Sequence, residues 1–209
     1  SRFIAKYGLR FSHFVNVGAS TIYNYDDHYE LVDSTVYASG EFFSPYYGLE
    51  PRLGLVYLLN EFSSIKASYS RTRQYIHLGQ NSTAGTPLDI WFPSSPNVKP
   101  QIADQVALGY FRNFRQNTIE TSVEGYYKKF NNAVDFKDRA ELLLNKLFEG
   151  ELRFGEGQAY GLEFFFKYEI KKLSGWVSYT LSRTERKTNT PYVEDGINKN
   201  QTYLAGWDK

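Results

Sequence analysis

The chain contains no cysteine and no methionine among its 209 residues. Without cysteine it cannot form disulfides, thiolate zinc sites or a cysteine nucleophile. It also lacks an excess of either charge, since 24 Lys and Arg nearly balance 23 Asp and Glu, for a formal net charge of +1. A nearly neutral chain without a basic run has no electrostatic basis for binding phosphates, so we expect no nucleic-acid partner.

Long hydrophobic runs are absent as well. The longest apolar run, Leu53–Leu59, is far short of the roughly 18 residues that a membrane-spanning helix requires. No signal peptide is recognisable, and the chain starts at Ser1 without a methionine, so we expect that the true N-terminus has been removed. The sequence therefore excludes a transmembrane helix.

Aromatic residues are abundant: 18 Tyr, 16 Phe and 3 Trp. Tyrosine combines an apolar ring with a polar tip, which suits a boundary between an apolar phase and water. The hydrophobic content of 42% argues against general disorder. The composition thus indicates a folded protein that works at an interface.

Apolar and polar residues alternate with a period of two along most of the chain, which is typical of strands with one apolar face. In 160–170, for example, Tyr160, Leu162 and Phe164 alternate with Gly161 and Glu163. The pattern predicts seven strands, at 2–17, 44–59, 63–78, 101–114, 117–136, 157–170 and 173–187. The stretch Ala140–Leu147 is the one candidate for a short helix, with a strand in the loop as the alternative.

The predicted connections alternate between short and long. Short turns are expected near 60–62, 113–117 and 170–172, and long loops at 18–43, 79–100 and 137–156, with a tail at 188–209. An up-and-down sheet places all the short turns at one edge and all the long loops at the other. This asymmetry is typical of outer-membrane barrels.

The polar faces of the strands carry many charged residues. If the apolar face meets lipid, the polar face lines a lumen, and the candidates are Lys6, Arg10, Glu50, Arg52, Lys66, Glu120, Glu124, Glu163 and Lys167. A soluble lipid-binding β-barrel or sheet, with its apolar face inward, gives the same alternation and is the alternative. Bacterial single-chain barrels have an even strand count, so seven strands predict a piece of a larger barrel, and one missed strand would make eight.

Several segments, in the same order along the chain, resemble TonB-dependent outer-membrane receptors, in particular those of Bacteroides-type bacteria. The segments are 47–60 with 63–71, 86–93 leading into 98–106, 149–152 with 155–163, and 175–186. The resemblance covers nearly the whole chain.

The resemblance implies a 22-stranded barrel closed by an N-terminal plug that contacts TonB, with cargo captured by extracellular loops. We therefore expect residues 1–209 to be an all-β, antiparallel, up-and-down transmembrane barrel segment of about seven or eight strands, without the plug, in the bacterial outer membrane. Such a chain should transport nothing by itself. The implied partners are TonB through the missing plug, outer-membrane lipid, a small-molecule, glycan or peptide cargo, and a surface lipoprotein in some relatives.

The loop at 79–100 and its root are the richest in aromatic residues. Trp91 and Phe92 lie between two prolines, and Tyr75 and His77 precede the loop. Aromatic rings on a stiff segment suit stacking against cargo, so these four residues are the candidate cargo contacts. The alternative is that Trp91 and Phe92 pack this loop against its neighbour.

Motifs for catalysis and cofactors are missing. His13, His28 and His77 lie far apart, and His13 falls on the opposite strand face from Ser12, so no nucleophile and base can be paired. Three acidic residues, Asp135, Asp138 and Glu141, lack the glycine-centred pattern of a calcium loop. The run that starts at Gly155 leads into a strand and lacks the third glycine of a dinucleotide site. We therefore expect no catalytic residue, no metal site and no cofactor; an outer-membrane barrel enzyme is the less favoured alternative.

Overall fold

The computed structural model describes residues 2–79, 90–137, 140–141, 144–170, 173–188 and 202–204. Within these ranges the strands are β1 Phe3–Val17, β2 Ser20–Tyr25, β3 Leu31–Tyr37, β4 Phe42–Asn60, β5 Ser63–Gln74, β6 Ile76–Gly79, β7 Ile90–Pro93, β8 Gln101–Phe114, β9 Ile119–Phe136, β10 Leu152–Ile170, β11 Leu173–Thr188 and β12 Thr202–Leu204. One 3-10 turn, Phe148–Glu151, precedes β10. No helix in this part of the chain is long and apolar enough to cross a membrane.

Eight of the strands form one antiparallel sheet in the order β1-β4-β5-β8-β9-β10-β11-β12. The remaining strands pair as two hairpins, β2–β3 and β6–β7. The sheet is open, with β1 and β12 at its edges among the described strands. The short connections β4–β5, β8–β9 and β10–β11 all lie at one edge of the strands, and the long ones lie at the other, as the sequence predicts.

The strand register aligns residues of one face into rows that cross the sheet. One row, here the aliphatic row, consists of Ala5, Leu55, Ala67, Leu108, Gly125, Leu162 and Leu181. The next row toward the long connections, the tyrosine row, consists of Tyr7, Leu53, Tyr69, Val106, Tyr127, Tyr160 and Arg183. Because side chains alternate along a strand, these rows belong to one continuous apolar face.

This apolar face is exposed. Tyr7 is 88% exposed, Leu108 61% and Val177 66%. An ordinary water-soluble sheet buries such residues beneath a second layer, and no such layer covers this face in the described part of the chain.

Toward the long connections, the apolar face ends at a row of polar residues, here the boundary row. It consists of Arg71, Asp104, Lys129, Gln158 and Glu185 on β5, β8, β9, β10 and β11. Arg71 donates from Nε and Nη2 to the two carboxylate oxygens of Asp104, at 2.8 and 3.0 Å. Gln158 donates to Glu185 at 2.7 Å. On β1 and β4 the apolar residues continue beyond this row toward the long connections. The exposed apolar residues therefore form a band, here the apolar band, that crosses the sheet at an angle to the register rows.

The strand predictions need two corrections. The strand expected at 63–78 is interrupted at Tyr75, because this residue leaves the ladder and its hydroxyl hydrogen-bonds Ser12 Oγ at 2.7 Å. The strand expected at 157–170 begins earlier, at Leu152, because Gly155 and its neighbours continue the ladder. At Gly155 a Cβ would lie only 2.0 Å from the Lys187 carbonyl oxygen, so glycine here permits close pairing and does not mark a loop.

The long loops also differ from expectation. The loop at 18–43 contains the hairpin β2–β3, and the tail at 188–209 contains β12, which makes eight strands in the main sheet. The helix expected at Ala140–Leu147 is wrong for residues 140–141 and 144–147, which form turns and irregular backbone; 142–143 lie outside the described residues.

Candidate functional site

Three long connections converge at one edge of the sheet and form a loop assembly. It consists of the hairpin β2–β3, the segment 90–98 and the segment 144–153. Asn97 links all three, since its Nδ2 donates to the Tyr23 carbonyl oxygen at 2.8 Å and to Glu149 Oε2 at 2.5 Å. The Tyr25 hydroxyl donates to the Leu147 carbonyl oxygen at 3.2 Å.

The loop assembly has its own apolar core. Phe92, Val98 and Leu152 are buried and contact one another. The Phe92 ring stacks on His77 with a centroid distance of 5.5 Å and meets the edge of Phe148 at 5.3 Å. Burial of this kind holds loops in one arrangement, so this assembly is a packed structure.

Hydrogen bonds fasten the assembly to the sheet. Asn16 Nδ2 on β1 donates to the Ser94 carbonyl oxygen at 2.8 Å, and the Tyr46 hydroxyl on β4 donates to the Ser95 carbonyl oxygen at 2.7 Å. Ser95 and Val98 exchange backbone hydrogen bonds of 3.0 and 3.2 Å, which closes a tight turn. The position of the assembly is therefore set by the first two long strands of the sheet.

A cavity of about 190 Å³ lies where the three connections meet. It has an apolar wall, a set of neutral polar groups and two charged groups. Its lining includes Asn16, Ile22, Phe43, Lys146, Phe148 and Glu149. Such a mixture of apolar walls and a few polar groups is the usual make-up of a small-ligand site.

The charges at this cavity are only partly compensated. Glu149 accepts a hydrogen bond from the neutral Asn97 amide and makes no ion pair within the described residues. Lys146 makes neither a hydrogen bond nor an ion pair there. Partial burial, together with the nearby Glu149 carboxylate, raises the pKa of Tyr25. The cavity thus presents one carboxylate and one ammonium group to any occupant.

The whole-chain comparison decides the family. The sequence matches the family described as TonB dependent receptor-like, beta-barrel, over residues 2–207. The chain belongs to this family. No curated protein and no solved structure matches it. Receptors of this family act with TonB at the bacterial outer membrane and have a receptor and transport role in general.

In this TonB-dependent receptor barrel, the four candidate cargo contacts lie in different environments. Phe92 and His77 are both 3% exposed, within the core of the loop assembly, and His77 Nε2 lies 3.2 Å from Ser94 Oγ. Trp91 is 64% exposed on the opposite face of the same hairpin. The Tyr75 ring stacks on Phe14 at 5.2 Å. Phe92 therefore packs the loop, whereas Trp91 is exposed, and its contact with a cargo stays a prediction.

The nine polar candidates for the lumen occupy one common face of the sheet. Several of them face each other in register pairs: Arg10 with Glu50 on β1 and β4, and Glu124 with Glu163 and Glu120 with Lys167 on β9 and β10. Arg10 and Glu50 approach to 3.9 Å, and Lys167 and Glu120 to 3.3 Å. The complete set on this face is Lys6, Arg10, Glu50, Arg52, Lys66, Glu120, Glu124, Glu163 and Lys167.

The acidic residues near 135–141 have structural partners where they are described. Asp135 accepts a hydrogen bond from Tyr203 at 2.6 Å and lies 3.5 Å from Arg186. Asp138 lies outside the described residues. No group of three metal-binding side chains occurs in the part of the chain that the structure describes.

The sequence did not reveal Asn97, which links the three connections, or the cavity residues Lys146 and Glu149. Each is a single polar residue in an irregular segment, so no periodicity marks it. The one local signal is the run Ser94–Asn97 between Pro93 and Val98, whose small polar residues and proline favour a turn that brings Asn97 inward.

Proposed function

We propose that this chain forms part of the wall of a 22-stranded outer-membrane barrel in a Bacteroides-type TonB-dependent receptor that imports a nutrient or a metal chelate. In this proposal the apolar face of the sheet contacts lipid. The polar face lines the lumen, and the loop assembly faces the cell exterior.

The observation that carries the proposal is the slant of the apolar band. On β4 the band runs from Tyr47 to Leu59 and is centred on Leu53; on β11 it runs from Leu173 to Leu181 and is centred on Val177. The tyrosine row that starts from Leu53 reaches Arg183 on β11, six residues from Val177. If the strands are tilted relative to the membrane normal, the residues that face the hydrocarbon layer shift along each successive strand, and this produces such a slant.

The size of the slant agrees with a barrel. Six residues correspond to about 20 Å along a strand, and the five strand spacings from β4 to β11 to about 24 Å. The band therefore makes an angle of about 40° with the register rows, within the roughly 35–45° tilt of strands in membrane barrels. A flat sheet packed against a protein layer has no reason to adopt this value.

The length of the apolar band supports the same placement. Apolar residues of this face extend from Phe3 to Phe11 on β1 and from Tyr160 to Ile170 on β10. Runs of about 9–11 residues are what a tilted strand needs to cross the hydrocarbon layer.

We propose no catalytic role for this chain. Ser12 hydrogen-bonds Tyr75, and His13 stacks on Tyr47 with a centroid distance of 4.6 Å on the other face of the strand. The two groups that a hydrolase would need are thus directed apart. Binding by loops and passage along the polar face account for the described features without a reaction.

A fluorescence experiment on the receptor that contains this chain tests the membrane placement. Because the chain has no cysteine, a single Leu108→Cys or Ala107→Cys introduces the only thiol of the segment. The two positions are adjacent on β8 and lie on opposite faces. After bimane labelling and reconstitution, brominated lipid should quench the probe at 108 strongly and the probe at 107 weakly.

Equal quenching at the two positions by aqueous iodide, without quenching by brominated lipid, would overturn the proposal. That result would favour a soluble β-protein whose apolar face is covered by protein.

A further inference from the structure

We infer that the apolar face carries, on β8–β11, a binding site for one membrane lipid that has an acyl chain and a negatively charged phosphate headgroup. This inference rests on the proposed function, because it takes the apolar face to contact lipid, and it adds the position and the headgroup chemistry of one bound lipid. It is carried by a groove in the apolar face, by the polar cleft that continues this groove and by the charges around the cleft.

The groove has a volume of about 650 Å³ and lies across the aliphatic row and the tyrosine row. Its walls are leucine and tyrosine side chains, namely Leu108, Tyr127, Tyr160, Leu162 and Leu181. Gly125 stands in the aliphatic row between two leucines, so at this point no side chain fills the face. An apolar groove of this size suits a hydrocarbon chain, which gains by leaving contact with polar groups.

A polar cleft of about 230 Å³ continues the groove toward the long connections, and Tyr127 lines both hollows. Lys129 and Gln158 of the boundary row line the cleft, and so does Lys187 on β11. These side chains belong to the same face of the sheet as Tyr127. An amphiphile has its parts in this order, since an apolar chain is followed by a polar headgroup.

The polar cleft lies at the depth where headgroups are expected. Arg183, at the end of the groove, is six residues from Val177, on which the apolar band is centred on β11. Six residues span about 20 Å along a strand, which is about 15 Å along the membrane normal at a tilt of about 40°. Half of the hydrocarbon core is also about 15 Å thick. In the proposed placement the groove is therefore in the hydrocarbon layer and the cleft is at headgroup level.

A chain of hydrogen bonds fixes the junction of the groove and the cleft. The Tyr127 hydroxyl donates to Gln158 Oε1 at 3.0 Å, and Gln158 Nε2 donates to Glu185 Oε2 at 2.7 Å. Arg183 Nε lies 2.7 Å from Glu185 Oε1. Because these contacts join side chains of β9, β10 and β11, the polar rim is ordered before a ligand binds, which lowers the entropy cost of binding.

The charges of this face around the two hollows sum to one net positive charge. Three cationic side chains and two carboxylates line them: Lys129, Arg183, Lys187, Glu156 and Glu185. Lys129 pairs with Glu156 at 3.4 Å, and Arg183 pairs with Glu185. Lys187 is half-buried and makes neither a hydrogen bond nor an ion pair with the described residues. Its ammonium group therefore favours a headgroup that carries a net negative charge.

The test uses single cysteines, labelled with bimane, at two positions of the receptor that contains this chain. Val123→Cys lies beside the groove, next to Gly125 on the same face of β9, and Leu53→Cys lies on β4, away from the groove. Tyr127 shares a register row with Leu53, three strand spacings away. Over this distance the slant shifts the centre of the apolar band by about four residues, which gives Val123 and Leu53 about the same depth.

The receptor is reconstituted in phosphatidylcholine vesicles with increasing fractions of either phosphatidylglycerol or phosphatidylcholine that is brominated in its acyl chains. We expect half-maximal quenching of the probe at 123 at an about fivefold lower fraction of the brominated phosphatidylglycerol, because one uncompensated cation favours the anionic lipid. The probe at 53 should respond to the two lipids equally.

Two variants separate the headgroup contact from the groove. Lys187→Gln removes the cation, and Gly125→Leu fills the groove without a change in charge; each should abolish the fivefold difference at 123. Lys128→Gln is the control, because it removes the same charge from the opposite face of β9, and it should leave the difference unchanged within about twofold. At position 125 the nearest atom to a new Cβ is the flexible end of Leu162, at 3.3 Å, so we expect the leucine variant to fold. If circular dichroism shows that it does not fold, the two lysine variants decide.

Equal quenching by the two lipids at 123, or the same preference for phosphatidylglycerol at 53, would overturn the inference. An equal effect of Lys187→Gln and Lys128→Gln would do so as well. Quenching at 53 but by neither lipid at 123 would mean that protein, such as a second copy of the chain, covers the groove. In all these cases the proposed function survives, because the probe at 53 still contacts lipid; absence of quenching at both positions would overturn the proposed function together with the lipid site.

Discussion

Large apolar side chains are exposed on the main sheet but buried in the loop assembly. On the sheet, large apolar side chains such as Tyr7 and Leu108 are exposed over a continuous face. In the loop assembly, Phe92, Val98 and Leu152 are buried in a small core. Burial of apolar groups is driven by water. The difference is therefore the one expected if, as proposed above, the loop assembly meets water and the sheet face meets lipid.

The largest expected effect compares two neighbours on opposite faces of the β6–β7 hairpin. Phe92→Ala removes a buried ring and should destabilise the loop assembly by about 3–5 kcal/mol. Trp91→Ala, at an exposed position, should change its stability by about 0.5 kcal/mol or less. Hydrogen exchange of the amides in 90–98 measures both, in the receptor that contains this chain.

The same pair separates packing from cargo contact. Weaker cargo binding by Trp91→Ala with unchanged exchange would assign Trp91 to the cargo site. Equal exchange in both variants would show that Phe92 does not hold the loop assembly together.

The next prediction tests the main sheet by placing a charge on its apolar face. Leu108→Arg lies on the aliphatic row, and an arginine facing the middle of a bilayer costs about 2–4 kcal/mol. Gln105→Arg, on the polar face of the same strand, is the control and should cost little. Urea unfolding in liposomes measures the two free energies. Similar values for both variants would contradict a lipid-facing role of the apolar face.

The edge strand β12 provides a smaller effect. The Tyr203 hydroxyl donates to Asp135 at 2.6 Å and lies 3.0 Å from Thr188 Oγ1, and these contacts hold the short strand against β11. Tyr203→Phe leaves the Asp135 carboxylate without this donor and should cost about 1–3 kcal/mol of local stability. Proteolysis rates at 202–204 measure the loss. Unchanged proteolysis would mean that backbone pairing alone holds β12.

Tyr203 also predicts a dependence on alkaline pH. Burial and the Asp135 carboxylate raise the pKa of Tyr203 from 10.0 to about 12. The folded state keeps its proton at a pH where the unfolded state loses it, so the stabilisation is complete below pH 10.0 and falls as pH rises toward about 12. The docking of β12, measured by proteolysis, should weaken over this range in the wild type and much less in Tyr203→Phe.

The smallest expected effect is a loss of stability of the loop assembly at acidic pH. Burial lowers the pKa of His77 below its usual value of 6.5. The folded state disfavours the imidazolium form, so stability is complete above pH 6.5 and is lost as pH falls through the lowered pKa. Amide exchange in 90–98 should accelerate on acidification, and His77→Gln should remove most of that dependence. Equal acceleration in both would assign the effect to other groups.

The strands and their two faces could be predicted from the local pattern of apolar and polar residues. A period of two is a local property, and residues such as Leu162 and Glu163 reveal their faces without knowledge of the neighbouring strands. The positions of the short turns and long loops followed from the gaps between these patterns. The strand bounds failed where glycine permits close pairing, as at Gly155, or where a side chain leaves the ladder for a distant partner, as at Tyr75.

The strand register and the arrangement of the candidate site depend on contacts between distant segments and could not be predicted from the sequence. The slant of the apolar band exists only once Leu53 is aligned with Arg183 through five strand pairings. Phe92 is buried and Trp91 is exposed because of contacts between segments far apart in the chain. The hydrogen bonds from Asn97 to Tyr23 and Glu149 also join distant segments. Such contacts leave no periodic trace in the sequence, because each loop residue is placed by its partners and not by its neighbours.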